Sequence, residues 1–256
     1  MHEFVNRVAV VTGASSGIGR ACALGFCRGG ACVVAVGRDG TRLRELTEAG
    51  AGEPGRILPV SLDLTKHGAV QAVVDAALTH FGRIDILVNA AGILTSGSVE
   101  TTSAEAWDRL MDLNLRVPFL LLQRCLPQLQ STAGAVVNVS SVTGLRSFPG
   151  VLGYCVSKAG LDQLTRCAAL ELASRGVRVN AVNPGVVRTS LHRNGGMDET
   201  TYAAFLEHGK ESHPLGRVGE AEEIAEAVLF LASPRSGWIT GATLPIDGGR
   251  AQTCAR

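Results

Sequence analysis

Short apolar, β-branched runs alternate with helix-forming stretches along nearly all of this 256-residue chain, and that rhythm constrains its fold more than any other feature. Residues 7–11, 31–36, 57–62, 84–88, 135–139, 177–182 and 242–246 read as strands. Helical patterns separate them at 17–28, 39–49, 66–80, 104–129 (with a break near Pro118), 153–174 and 220–231. The strands lack polar alternation, so they are expected to be buried on both faces. Strands joined by helices through right-handed crossovers build an α/β fold, a Rossmann-type doubly wound parallel sheet of about seven strands with helices on both faces. No repeat, low-complexity tract or long linker divides the chain, which predicts a single domain. Residues 188–216 break the rhythm, being polar and irregular around Gly195-Gly196. Ligands in such folds lie beyond the strand C-termini, so this segment is a candidate substrate lid or a solvated loop.

Charge excludes some functions. With 24 Lys+Arg against 23 Asp+Glu, the formal charge of +1 offers no electrostatic reason to expect nucleic acid or an anionic membrane as partner. No apolar run approaches the roughly 18 residues of a membrane span. Met1-His2-Glu3-Phe4 shows no secretory pattern, and the ending Thr253-Cys254-Ala255-Arg256 fits neither a prenylation box nor a peroxisomal Ser-Lys-Leu. Seven cysteines, at 22, 27, 32, 125, 155, 167 and 254, include no Cys-x-x-Cys pair. Neither a disulfide framework nor a metal site fits that spacing. A cytoplasmic protein with small buried thiols is expected.

Directly after the first strand comes Thr12-Gly13-Ala14-Ser15-Ser16-Gly17-Ile18-Gly19, running into a helix. The first glycine allows a tight turn; the later ones let backbone approach a pyrophosphate and helix pack on strand. Unpaired N–H groups at the helix N-terminus then face the phosphates. At this junction a glycine cluster points to dinucleotide binding. Beyond the second strand, Arg38 suits a 2′-phosphate, favouring NADP(H) over NAD(H). The neighbouring Asp39 would bond a ribose 2′-hydroxyl or cap the next helix.

The chain has two tyrosines and three lysines, yet Tyr154 and Lys158 stand four apart at the start of a helix, on one face. A free phenol titrates near pH 10, and an adjacent ammonium lowers that, making a usable acid or base. A surface pair without chemistry is the other account. Ser140 and Ser141 end the fifth strand, where a hydroxyl can donate to a substrate carbonyl or simply close a turn. Asn114 lies within a helical stretch, where Asn is a poor former.

Taken together, these motifs resemble the short-chain dehydrogenase/reductase family along nearly the whole chain. They are the glycine turn at 12–19, Asp63, Asn89-Ala90-Ala91-Gly92, Asn114, Ser141, Tyr154-x-x-x-Lys158 and Asn183-Pro184-Gly185. The resemblance implies Tyr154 as acid/base, Lys158 lowering its pKa and binding the nicotinamide ribose, and Ser141 polarising the substrate oxygen. It implies Asn114 holding a water in a proton relay. Gly13, Ser15, Ser16, Gly17, Ile18, Gly19, Arg38, Asp63, Leu64, Asn89 and Ala90 would serve the phosphate and adenosine side. Pro184, Val187 and Thr189 would serve the nicotinamide. Ser16 departs from the basic residue some NADP-preferring members carry before the second glycine, which keeps NAD(H) open. Residues 214–217 and 246–249 look like those of members that form homotetramers.

The implied activity is an NADP(H)-dependent interconversion of a ketone and a secondary alcohol on a small molecule. An NAD-dependent oxidative dehydrogenase of a sterol or polyol is the alternative. A silent nucleotide-sensing scaffold would be expected to lose Ser, Tyr or Lys, and this chain keeps all three. The pocket walls are expected from 93–97, 143–150 and 188–213, with Arg146, Arg188 and Arg193 either contacting an anionic substrate or lying on the surface.

Overall fold

Val8 to Val11 are all buried, and because successive strand side chains point to opposite faces they feed two cores. Ala9 and Val11 join one apolar cluster, Val10 the other. The same division holds in the next strand, with Val33 and Ala35 on one side and Val34 and Val36 on the other. The computed structural model, which describes residues 3–253, resolves these strands into one sheet. It comprises β1 (Val8–Thr12), β2 (Cys32–Gly37), β3 (Arg56–Ser61), β4 (Ile86–Asn89), β5 (Ala135–Val139), β6 (Arg178–Pro184) and β7 (Thr243–Ile246). Every neighbouring pair is parallel, in the order β3-β2-β1-β4-β5-β6-β7.

The intervening helices are α1 (Gly17–Arg28), α2 (Gly40–Ala49), α3 (Ala69–Phe81), α4 (Ala104–Met111), α5 (Val117–Thr132), α6 (Val142–Leu145), α7 (Leu152–Leu172), α8 (Leu191–Asn194), α9 (Glu199–Ser212) and α10 (Ala221–Ala232). Buried residues of α1, α2 and α10 fill the first core; those of α3, α5 and α7 fill the second. Strand order reverses between β1 and β4, and the crevice opens beyond their C-terminal ends. Among the described residues, no helix is long and apolar enough to cross a membrane. The ending Cys254-Ala255-Arg256 and the leading Met1-His2 lie outside the described residues.

Two expectations need correction, and a third is sharpened. β3 and β7 are only partly buried, because they are the two edge strands; Pro59 and Pro245, which cannot donate to a ladder, are tolerated there. The long helix breaks near Pro118 as expected, in a π-helical turn over Asp112–Arg116 just before it. Pro118 occupies the first turn of α5, where a missing N–H costs least, and the bulge takes up the mismatch upstream. Residues 188–216 are not irregular: they fold into α8 and α9. Helix α9 buries Tyr202, Leu206, Gly209 and Ser212, a stripe at helical spacing hidden from sequence reading by its two small members.

Candidate active site

The turn between β1 and α1 is built so that backbone forms the floor of a cleft of about 790 Å³. Gly13 has φ +68°, and a Cβ there would lie 2.8 Å from the Ala90 carbonyl oxygen and the Ala91 nitrogen. At Gly19 it would lie 2.4 Å from the Gly13 oxygen. Gly17, with φ +52°, faces the Thr189 side chain across the opening. Buried Thr12 braces the floor from below. Its Oγ1 accepts the N–H groups of Ala90 at 3.0 Å and Ala91 at 3.1 Å, and donates to the Val88 carbonyl. Ser16 precedes α1 without capping it through its side chain, so the first-turn N–H groups have no such partner. Backbone kept bare of Cβ atoms beside an uncapped twelve-residue helix fits a dinucleotide pyrophosphate.

Gly13, Ser15, Ser16, Gly17, Ile18, Gly19, Arg38, Asp63, Leu64, Ala90, Pro184, Val187 and Thr189 all line this cleft, as do Ser141, Tyr154 and Lys158. At one end, Asp39 caps α2: its Oδ1 accepts the N–H groups of Thr41 and Arg42 at 3.1 and 3.0 Å. Arg38 beside it is exposed and has no ion pair among the described residues. The Asp63 carboxyl is held below its ordinary range, first by the Thr65 hydroxyl and then by the Thr65 N–H.

At the other end, Tyr154 stands in the first turn of α7 and Lys158 one turn on, both buried. The Lys158 ammonium lies 5.7 Å from the Tyr154 ring centroid and donates to the Val139 carbonyl at 2.8 Å. Burial pulls its pKa down to about 8. Burial pushes the Tyr154 phenol up to about 12, while the Ser141 hydroxyl works the other way. Desolvation of a phenolate at 6% exposure outweighs that hydroxyl, and the lowering expected from Lys158 is not among the effects acting on the phenol. Ser141 caps α6 by accepting the Thr143 N–H at 3.1 Å, whereas Ser140 donates at 3.2 Å to the Lys158 carbonyl.

Two predicted residues stand behind the cleft rather than on it. The Asn89 side chain is buried between strands, donating to Asn138 Oδ1 at 2.8 Å; Ala90 is the residue that reaches the opening. Asn114 is wholly buried in the π turn. Its Nδ2 donates to the Ile93 carbonyl and to Ser157 Oγ, and its Oδ1 accepts the Ile93 N–H at 2.9 Å. That side chain staples the loop after β4 to α7 and is already fully engaged. Pro118 has no N–H to offer the Asn114 backbone carbonyl four residues back. A Cβ on Gly92 would meet Asn114 Oδ1 at 3.3 Å and Lys158 Nζ at 3.7 Å, so the two groups flank that glycine.

Sequence reading missed Asp162 and Arg250, and took Thr12 only as the start of the glycine turn, without its bracing role. Asp162 follows Lys158 by four residues, a helical spacing that was available as a signal. It accepts Asn183 Nδ2 at 2.8 Å, and the same amide donates to the Ser141 carbonyl at 2.9 Å, tying α7 to β6 and to the α6 entrance. The pocket walls fall at Ile93, Leu94, Ser96, Thr143, Phe148 and residues of α8 and α9, much as expected. Arg146, Arg188 and Arg193 do not line the cleft. Arg146 donates to the Arg250 and Thr253 carbonyls, Arg188 pairs with Glu220 at 3.2 Å, and Arg193 pairs with Glu199 at 2.8 Å.

A parallel doubly wound sheet with this glycine-floored crevice defines a dinucleotide-binding oxidoreductase. A family model described as enoyl-(acyl carrier protein) reductase matches residues 13–251. The 3-oxoacyl-(acyl-carrier-protein) reductase FabG of Thermotoga maritima is 39% identical over 95% of this chain and 97% of its own. The trans-4-hydroxycyclohexanecarboxylate dehydrogenase of Sinomonas cyclohexanicum is 36% identical over 95% and 92%. A crystal structure of a short-chain dehydrogenase/reductase of unknown function from Caenorhabditis elegans, with cofactor, superposes with a TM-score of 0.92 at 32% identity, covering 98% and 97%. The chain belongs to the short-chain dehydrogenase/reductase family and is an NAD(P)-dependent enzyme acting on CH–OH and C=O groups.

Proposed function

We propose that the protein is an NADP(H)-dependent reductase of a ketone, with Tyr154 as the general acid. The observation that carries this reading is that Ser141, Tyr154 and Lys158 converge on the cleft that the glycine turn opens at its other end. A bound nicotinamide cofactor supplies the hydride; the chain supplies orientation and the proton. Tyr154 Oη gives a proton to the carbonyl oxygen, and Ser141 Oγ donates a second hydrogen bond that stabilises charge on that oxygen. Lys158 is still protonated at neutral pH with its amine near 8, and it balances the phenolate left behind. Gly13, Ser15, Ser16, Gly17, Ile18 and Gly19 would hold the pyrophosphate, Asp63, Leu64 and Ala90 the adenosine, and Pro184, Val187 and Thr189 the nicotinamide. Asn89 and Asn114 act behind them as positioning residues.

The 188–216 segment closes over the substrate side. Tyr202 Oη donates to the Thr189 carbonyl at 2.8 Å, and His213 Nε2 accepts the Val186 N–H at 3.0 Å, so α9 is tied at both ends to the stretch that follows β6. Exposed Phe119 on α5 and Val156 and Leu170 on α7 support a homo-oligomer, a dimer or tetramer. A cytoplasmic location agrees with six described thiols left unpaired.

Preference for NADP(H) is supported by Arg38 and Arg42 at the adenosine end, with Asp39 engaged in its cap. In Arg38→Ala, kcat/KM for NADPH relative to NADH is expected to fall about tenfold or more, the loss of one charge-assisted contact. Initial rates with both cofactors check this. An unchanged ratio, or a wild type that prefers NADH, contradicts the NADP(H) assignment.

A further inference from the structure

One charged group at the substrate end makes no ion pair among the described residues, with Asp247 acting on it only from beyond that distance. Arg250, in the turn following β7, is only 8% exposed and lines the cleft together with Phe148, Val151, Met197 and Phe205. Its guanidinium carbon lies 5.1 Å from the Phe148 ring centroid, and Nη1 donates to Ser212 Oγ. A guanidinium carries five N–H groups, and no other side-chain bond of Arg250 occurs among the described residues. No described carboxylate comes within ion-pair distance of it. Asp247, the acid nearest in sequence, is turned to its own loop, where it accepts the N–H groups of Gly249 at 2.9 Å and Ala251 at 2.6 Å. The backbone around Arg250 is fixed: its N–H donates to the Asp247 carbonyl at 3.1 Å and its carbonyl accepts Arg146 at 3.0 Å.

A buried guanidinium is costly to a fold when most of its donors go unmet, as these do among the described residues, and this one stands at the cavity wall on a fixed backbone. We infer that Arg250 binds an anionic group of the substrate, and that the substrate is a keto acid whose carboxylate pairs with this guanidinium while its carbonyl meets Tyr154. This inference rests on the reading of the cleft given above. A planar fork with open donors matches a carboxylate bidentately. Phe148 lies against the guanidinium, and Val151, Leu94, Met197 and Phe205 add apolar wall to a cleft that also holds the Asp112 carboxylate, an arrangement that suits a single negative charge on a carbon skeleton better than a phosphate dianion. Exposed Arg109 on α4 stands at the rim and would attract such an acid without binding it closely.

The test uses 3-, 4- and 5-oxo acids of graded length, each beside its primary amide, with NADPH oxidation followed at 340 nm. At the best-fitting length the acid is expected to exceed its amide at least tenfold in kcat/KM, chiefly through KM. Arg250→Gln should collapse that ratio to near one, and Arg250→Lys should keep part of it. Independently of turnover, the matching alkanoic acid should raise the melting midpoint of the wild type, and this rise should vanish in Arg250→Gln. If the wild type reduces amides as well as acids at every length, or if Arg250→Gln keeps the ratio, the keto-acid inference fails while the reductase reading stands. If neither series is reduced but simple ketones are, the inference again fails alone. If no ketone of any kind is reduced, both readings fall.

Discussion

Tyr154→Phe is expected to lower kcat by about 10³-fold or more while leaving the protein folded and its cofactor affinity nearly unchanged. The ring is buried in the first turn of α7 and keeps its packing in the variant. Only the hydroxyl is removed, and with it the proton donor beside Ser141. Because burial pushes the phenol up to about 12, it is protonated throughout the neutral range, the state an acid needs for reduction. The Lys158 ammonium that balances the phenolate is lost first, so reduction is expected to decline as pH rises through about 8. Turnover and NADPH binding measured on the same preparation check the expectation. Turnover within about threefold of wild type would remove Tyr154 from the chemistry. A parallel loss of cofactor binding would make its role structural.

Gly19→Ala should be the most damaging single methyl in the cofactor half. The added Cβ would sit 2.4 Å from the Gly13 oxygen, 2.6 Å from the Gly13 carbonyl carbon and 2.9 Å from the Thr12 oxygen. All three are backbone atoms, so no rotamer change relieves the clash, and α1 must shift away from β1. Overpacking of this kind costs about 1–3 kcal/mol of stability, and a 1 Å misplacement of a binding element costs about 10²-fold in function. A lower melting midpoint and NADPH affinity weakened by about 10²-fold are expected, read by thermal unfolding and fluorescence titration. Gly52→Ala is the control: it also has positive φ, at +85°, but its Cβ meets nothing within 4 Å. That variant should show the backbone strain, about 1–2 kcal/mol, with cofactor affinity intact. Equal effects on affinity at the two positions would mean the turn is not a phosphate cradle.

The alternation of apolar strands and helices was enough to give the sheet, because a strand covered on both faces must be apolar along its whole length. It misled at β3 and β7, where the edge position relaxes that demand. The Tyr154–Lys158 pair was legible for a local reason: residues four apart on a helix share a face whatever the tertiary structure. Asn114 was recognised but its duty was not, since the three bonds it makes depend on a π turn that no propensity foretells. The 188–216 segment misread as irregular because α9 buries Gly209 and Ser212 beside Tyr202 and Leu206, a face too small and polar to stand out. Arg250 was invisible for a different reason. Its burial depends on Phe148, about a hundred residues away, and on Ser212 at the end of α9. Arg146, chosen instead, turned out to hold the backbone of that same arginine.

The central claim is that this cleft passes hydride to a carbonyl carbon while Tyr154 protonates the oxygen. The most direct measurement is mass spectrometry of the alcohol formed from a ketone and NADPH deuterated at the transferring C4 position. One deuterium on the carbinol carbon, formed by the wild type and not by Tyr154→Phe, is the predicted result. An unlabelled alcohol, or deuterated product formed equally by both proteins, contradicts it.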